Sequence, residues 1–215
     1  MSTDNLIINE IFYSIQGEGL YSGKPTTFIR LTGCPLRCTY CDTEYAFHEG
    51  SKMDFKKIFN EINSFNCREI MVTGGEPLSQ TNVISFLKTL CDNSFSVSIE
   101  TSNALDISLI DKRVIIVLDV KTPGSGESKK NLIKNFDFLK PNDQIKFVIC
   151  NQTDYEWSKE YIKKYKLFNR CEILFSPCYE KMNTEVLAEK ILKDSLPVRL
   201  QIQLHKFIWG EKRGK

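Results

Sequence analysis

Val114-Ile115-Ile116-Val117-Leu118-Asp119-Val120-Lys121 is the stretch from which the fold can be read. Its apolar residues run almost without interruption. Such a run marks a strand buried on both faces, the habit of parallel sheets covered by helices. The run ends in Asp119 and Lys121. Side chains alternate along a strand, so these two charges fall on one face and point the same way.

Similar runs lie to either side. Residues 7–13, 27–32, 69–73 and 95–100 read as strands before it, and 144–149, 172–175 and 198–202 as strands after it. Between them the apolar spacing becomes helical. Phe55, Ile58, Phe59, Ile62 and Phe65 share a face within 53–65, and Val83, Phe86, Leu87 and Leu90 share the next. A short helix is predicted near 132–139, a charged, exposed helix over 154–166, and a helix over 184–192 with Val186, Leu187, Ile191 and Leu192 apolar. Strands alternating with helices imply a parallel sheet wound by right-handed crossovers. Six or seven such steps are too few for a closed eight-stranded barrel. The expected fold is α/β, a partial, open (βα)6-type barrel with parallel strands. One domain spans 1–215, with an N-terminal strand and loop over 5–26 and the barrel core over 27–209.

A chain of 215 residues is long enough for one well-buried core. A net charge of +2 gives no electrostatic case for nucleic acid or a membrane surface, and Lys212, Arg213 and Lys215 read as a solvated basic end. No apolar run approaches the roughly 20 residues of a membrane span. Met1-Ser2-Thr3-Asp4-Asn5 lacks the basic and apolar pattern of a secretion signal. Cys67, Cys91, Cys150, Cys171 and Cys178 are scattered among apolar residues and read as small buried hydrophobes. Free thiols in this number fit a reducing cytoplasm.

The unusual polar groups fall just after strands: Gly74-Gly75-Glu76, Glu100-Thr101-Ser102-Asn103, Asp119-Val120-Lys121, Ser176-Pro177 and Gln203-Leu204-His205-Lys206. In α/β folds ligands bind at the carboxyl ends of strands, so these groups should meet at one mouth. The cysteine loop Cys34-Pro35-Leu36-Arg37-Cys38-Thr39-Tyr40-Cys41 joins them. Its three thiolates can take three corners of an iron–sulfur cluster and leave one iron open. The alternative is three of four zinc ligands, completed by Cys171, Cys178 or the nearer His48. Ser14-Ile15-Gln16-Gly17-Glu18-Gly19 is either a plain turn or a place where a ligand approaches the backbone closely. Arg30 lies inside an apolar strand and needs an anionic partner, a structural carboxylate or a bound one. Asp119 and Lys121 can pair with each other. Glu100 can point into the mouth or cap the next turn. Thr43, two residues past Cys41, reads by itself as a local backbone acceptor.

The C-x3-C-x-aromatic-C loop resembles the signature of the radical S-adenosylmethionine superfamily. The pieces 11–19, Phe28-Ile29-Arg30, Gly33-Cys34, Cys41-Asp42-Thr43, 72–77 and Leu204-His205-Lys206 together resemble the 7-carboxy-7-deazaguanine synthase family along nearly the whole chain. The resemblance implies conversion of 6-carboxytetrahydropterin to 7-carboxy-7-deazaguanine with loss of ammonia, in the making of queuosine and related 7-deazapurines. It implies a shortened (βα)6 barrel, a homodimer, an electron donor such as flavodoxin or ferredoxin, and three cofactors: a [4Fe–4S] cluster, S-adenosylmethionine and Mg2+. By position it assigns Cys34, Cys38 and Cys41 to the cluster and Thr43 to magnesium. Ile15, Gln16, Gly17, Glu18, Arg30, Thr73 and His205 would meet the substrate. Tyr40, Gly75, Glu76, Glu100, Asp119, Lys121, Ser176 and Pro177 would meet the cofactor, Lys121 through its methionine carboxylate. In some relatives the terminal carboxylate reaches the substrate; here 210–215 extends beyond His205. Glycyl-radical activating enzymes share the cysteine spacing without needing the 15–19 segment or Arg30. A zinc-stabilised binding module is the non-catalytic alternative.

Overall fold

The computed structural model describes residues 4–215. Met1, Ser2 and Thr3, part of the stretch read for a secretion signal, lie outside them. β1 (Asn5–Ile15) and β2 (Pro25–Leu31) form an antiparallel hairpin, and β3 (Ser51–Asp54) adds antiparallel to the free edge of β1. From β2 onward every neighbour is parallel: β4 (Glu69–Gly74), β5 (Ser96–Ser102), β6 (Ile115–Val120), β7 (Gln144–Ile149), β8 (Glu172–Pro177) and β9 (Arg199–Leu200). The order β3-β1-β2-β4-β5-β6-β7-β8-β9 leaves β3 and β9 as edges. The sheet is mostly parallel, open and unclosed.

One face of the sheet packs on helices α1 (Phe55–Ser64), α2 (Val83–Asp92), α3 (Gln152–Tyr165) and α4 (Thr184–Lys193). Polar residues start three of them. Asp54 accepts from Lys57 N at 2.7 Å, Asn151 from Asp154 N at 3.0 Å, and Asn183 from Glu185 N at 2.8 Å, filling backbone donors that a first helical turn leaves unpaired. The period of two then sorts each strand. Ile145, Phe147 and Ile149 are fully buried in the core with Ile162 and Phe175. The alternating residues Lys146 and Val148 line the cavity on the sheet's other face.

Several elements depart from the pattern read in the sequence. No helix joins β5 to β6, and only 3-10 turns, including Ile133–Phe138 in place of the short helix, join β6 to β7. Met53 belongs to β3, which sequence patterning merged with α1. The α3 helix is charged outside but buries Tyr155, Ser158 and Ile162. In α4 only Leu187 and Ile191 are buried, while Leu192 is 77% exposed. A further short helix, α5 (Leu204–Trp209), follows β9. None of these helices is long and apolar enough to cross a membrane.

The β1–β2 connection turns inward against the other end of the sheet. Gly19 N donates to Gln201 Oε1 at 3.1 Å, Leu20 N to Gln144 Oε1 at 2.8 Å, and Leu204 N to Gly17 O at 3.0 Å. The loop holding Gln16, Gly17 and Glu18 is thereby tied to β7 and to the segment around β9, and it lines the cavity.

Candidate active site

A cavity of about 710 Å³ opens on the face of the sheet away from α1–α4. Strand register builds its wall, because Arg30 lies beside Thr73, Ser102 beside Asp119, Asp119 beside Lys146, and Val148 beside Ser176. All of these line it, as do Ile15, Gln16, Gly17, Glu18, Gly75, Glu100, Pro177 and His205. The groups that follow strands in the sequence therefore do converge.

At one side stands the cysteine loop. Cys34, Cys38 and Cys41 are free, partly buried and face the cavity. Burial pushes the Cys38 thiol up to about 11 and raises Cys34 and Cys41 as well. Gly75 lies against this loop: a Cβ there would strike the Gly33 carbonyl and come within 2.9 Å of Cys34 Cβ. The Gly75 N–H and Glu76 N–H donate to Leu31 O at 3.1 Å and Gly33 O at 2.8 Å. Tyr40 also lines the cavity, and its buried hydroxyl has no partner among the described residues. Three thiols, a bare glycine backbone and an unsatisfied hydroxyl around one space fit an iron–sulfur cluster with a small polar ligand beside it. His48 and Cys171, offered as further zinc ligands, do not line the cavity.

Glu76 does not line the cavity and is only 1% exposed. Its carboxylate accepts from Leu78 N (2.9 Å), Thr101 Oγ1 (2.7 Å), Ser102 N (2.7 Å) and Ser102 Oγ (2.6 Å). The acid thus joins the β4 turn to the end of β5, and both oxygens are occupied by protein donors. Burial outweighs these bonds and raises its pKa above the ordinary carboxylate value.

Asp119 and Lys121 do pair, at 3.0 Å, and both face the cavity. Asp119 Oδ1 is buried without a partner among the described residues. Glu100 points into the mouth rather than capping a turn, and ion-pairs with Lys146. Ser176 accepts from Gln201 Nε2 at 3.4 Å.

At the other side, Gln16 is buried and its Oε1 accepts from Glu18 N at 3.2 Å. Gly17 is required for a different reason from ligand approach, because a Cβ there would collide with the His205 imidazole. Burial holds His205 below its ordinary value despite nearby Glu18 and Asp42. Arg30 has a structural carboxylate: its Nε donates to Glu10 at 2.7 Å. Tyr45 and Arg213 share Glu10, at 3.0 and 3.4 Å. The Thr43 hydroxyl donates to Asp42 Oδ1 at 2.9 Å instead of to backbone, and Asp42 Oδ2 pairs with Lys206 at 3.0 Å.

The site includes groups that motif reading passed over. Lys146 and Glu10 stand in none of the quoted motifs, and the signal for Lys146 was the one used for Arg30, a cation within an apolar strand. The basic end is also part of the site. Residues 210–215 line the cavity, and Arg213 pairs with Glu49 at 2.8 Å and stacks on Tyr45 at 3.9 Å.

Known proteins agree with this architecture. Residues 28–123 match the Radical SAM superfamily. The 7-carboxy-7-deazaguanine synthase of Chlorobaculum tepidum is 42% identical, over 100% of both chains. That of Koribacter versatilis is 40% identical, over 94% of this chain and 96% of its own. QueE from Escherichia coli has the same fold, with a TM-score of 0.77 at 23% identity, covering 94% of this chain and 95% of that one. These matches favour the synthase over the activating-enzyme and zinc-module alternatives. With its cysteine loop, its glycine cradle and full-length similarity of this degree, the chain belongs to the 7-carboxy-7-deazaguanine synthase family of radical S-adenosylmethionine enzymes.

Proposed function

We propose that the chain converts 6-carboxy-5,6,7,8-tetrahydropterin to 7-carboxy-7-deazaguanine with loss of ammonia. The observation that carries this reading is the two-sided cavity. Thiols and a bare glycine stand at one side, and an arginine, an amide, a carboxylate and an imidazole at the other. Cys34, Cys38 and Cys41 would hold three irons, with Tyr40, Gly75 and Lys121 around the S-adenosylmethionine. When bound, cluster and cofactor supply hydrogen-atom abstraction from the substrate. Arg30 binds the substrate carboxylate through the fork that Glu10 leaves open. Glu18 accepts from the N–H edge of the pterin, and Gln16 and Thr73 complete its contacts. His205, kept neutral near pH 7, offers one donor and one acceptor nitrogen. Thr43, with Asp42 beside it, would supply oxygen to a magnesium ion, which takes few protein ligands and keeps water and substrate oxygens. A flavodoxin or ferredoxin as electron donor, a homodimer and a cytoplasmic setting complete the reading, as does one domain over the whole chain.

The test is anaerobic reconstitution with iron and sulfide, followed by turnover with the pterin, S-adenosylmethionine and magnesium. Formation of 7-carboxy-7-deazaguanine with ammonia is expected. A reconstituted protein that cleaves S-adenosylmethionine but leaves the pterin unchanged would overturn the substrate assignment.

A further inference from the structure

Lys146 is 5% exposed at the middle of β7, and the register places it beside Asp119 of β6. Its ammonium meets Glu18 Oε2 at 2.9 Å, Glu100 Oε1 in a shorter contact, and Asp119 Oδ2 at 3.7 Å. The three carboxylates come from three places: the β1–β2 loop, β5 and β6. Lys121 is the other cation on this group, bound to Asp119. Three acids against two ammonium groups is a costly arrangement to bury, and a buried ion cluster is seldom the best way to stabilise a fold. All five groups line the cavity. Of the three acids, Glu18 alone is carried by a loop. Gln203 Nε2 and Gln201 Nε2 also donate to it, at 3.0 and 3.3 Å.

We propose that Lys146 is a positioning residue for substrate: it clamps the 16–20 loop to the sheet and aims the Glu18 carboxylate into the cavity. This rests on the pterin reading above for the ligand but not for the clamp. The electrostatics agree with the geometry. Burial by itself would push Glu18 up, yet Lys146, Gln203 and His205 together hold it at about 2. Glu100 goes the other way, raised by burial and by Glu18 against the pull of Lys146. The ammonium thus serves Glu18 as a fixed counter-charge while Glu100 holds a proton more readily. Without Lys146, three carboxylates share the space with Lys121 alone, and like charges so close cannot all stay ionised. Glu100, already raised, takes the first proton, and Glu18, without its counter-charge, rises from where Lys146 holds it and loses at a higher pH than in the wild type the charge that accepts from a pterin N–H.

Two measurements test this on the reconstituted protein with Lys146→Met and Lys146→Arg. The first is amide hydrogen exchange over 17–20 without substrate. Lys146→Met should lose protection there and Lys146→Arg should keep most of it. The second is anaerobic binding of 6-carboxytetrahydropterin from pH 5.5 to 8.5, followed by pterin fluorescence and read as the ratio of variant to wild type. For Lys146→Met the affinity should fall roughly 10- to 100-fold at the acid end, the range for a lost charged hydrogen bond. It should recover as pH rises and Glu18 ionises, while Lys146→Arg gives a flat ratio. If Lys146→Met does not fold, Lys146→Met with Glu100→Gln, which removes one charge of each sign, takes its place. Wild-type protection over 17–20 together with a flat ratio would overturn the proposal. A wild-type protein that binds no pterin would overturn the substrate reading, and hydrogen exchange alone would then decide the clamp.

Discussion

Replacing Arg30 with alanine should separate substrate binding from cofactor chemistry. The Arg30 Nε is committed to Glu10 at 2.7 Å, with the two side chains 17% and 16% exposed. Its two Nη atoms have no hydrogen-bond partner among the described residues, and the side chain lines the cavity. Glu10 therefore fixes the plane of the guanidinium and leaves the outer N–H groups as a fork for a carboxylate, the geometry in which arginine binds most strongly. Breaking a buried charge pair costs roughly 3–5 kcal/mol, and the partial exposure here puts Arg30 at the low end. About 3 kcal/mol corresponds to about two powers of ten in affinity. The fold should suffer less, since Glu10 keeps Tyr45 at 3.0 Å and Arg213 at 3.4 Å. A loss of about 1–2 kcal/mol, or about 2–8 °C in melting temperature, is expected. The assay compares the Michaelis constant for the pterin with S-adenosylmethionine cleavage in its absence. Arg30→Ala should raise the first about 100-fold and leave the second within about twofold. Arg30→Lys, which keeps charge without the fork, should fall between. An unchanged Michaelis constant in Arg30→Ala would show that the guanidinium serves Glu10 alone.

Alanine at Cys34, Cys38 or Cys41 should abolish S-adenosylmethionine cleavage while circular dichroism stays native; the same change at Cys171 should leave cleavage intact. Glu76→Gln replaces an acceptor by a donor opposite Ser102 N, so thermal melting should show a loss of about 2–4 kcal/mol, with cleavage retained well below the melting temperature. Thr43→Val should blunt the response of turnover to added magnesium, and an unchanged magnesium titration would place the ion elsewhere. Glu18 is held at about 2 against 4.5 when free, so its share of stability is present above about pH 4.5 and disappears as pH falls toward 2; Glu18→Gln should flatten that part of an acid melting series.

The strands were legible because parallel pairing needs apolar runs, and such runs survive any detail of the loops. The crossovers were less so. Residues 103–114 bury Ile107, Ile110 and Val114 in the core, yet the chain crosses there in turns and loop without a helix. Lys146 was passed over for a physical reason. Gln144, Lys146 and Val148 alternate with Ile145, Phe147 and Ile149, the pattern of an ordinary strand with one wet face. Only the tertiary structure, with the β1–β2 loop turned inward, makes that face the wall of a cavity. The surroundings of Glu76 are illegible for the opposite reason. Its neighbours Gly74 and Gly75 do serve the cavity, but the donors that claim its carboxylate lie at 101–102, beyond the reach of a local motif.

The charges around the cavity share one logic. Glu10 lies with Arg30, Asp42 with Lys206, Asp119 with Lys121, and Glu18 and Glu100 with Lys146. Each pair joins separate stretches of chain or neighbouring strand positions, and each has a member that lines the same cavity. Their value lies less in stability than in fixing the direction of every charge before a ligand arrives, so that little reorganisation remains to be done when it binds. Arg213 extends the scheme to the last residues of the chain. It reaches Glu10, the carboxylate that orients Arg30, and stacks on Tyr45, which reaches Glu10 as well. Arg213 of the lining segment 210–215 and the group assigned to the substrate carboxylate thus share one acid on β1. A change that moves the tail must therefore be felt at Arg30, although the two are far apart in sequence.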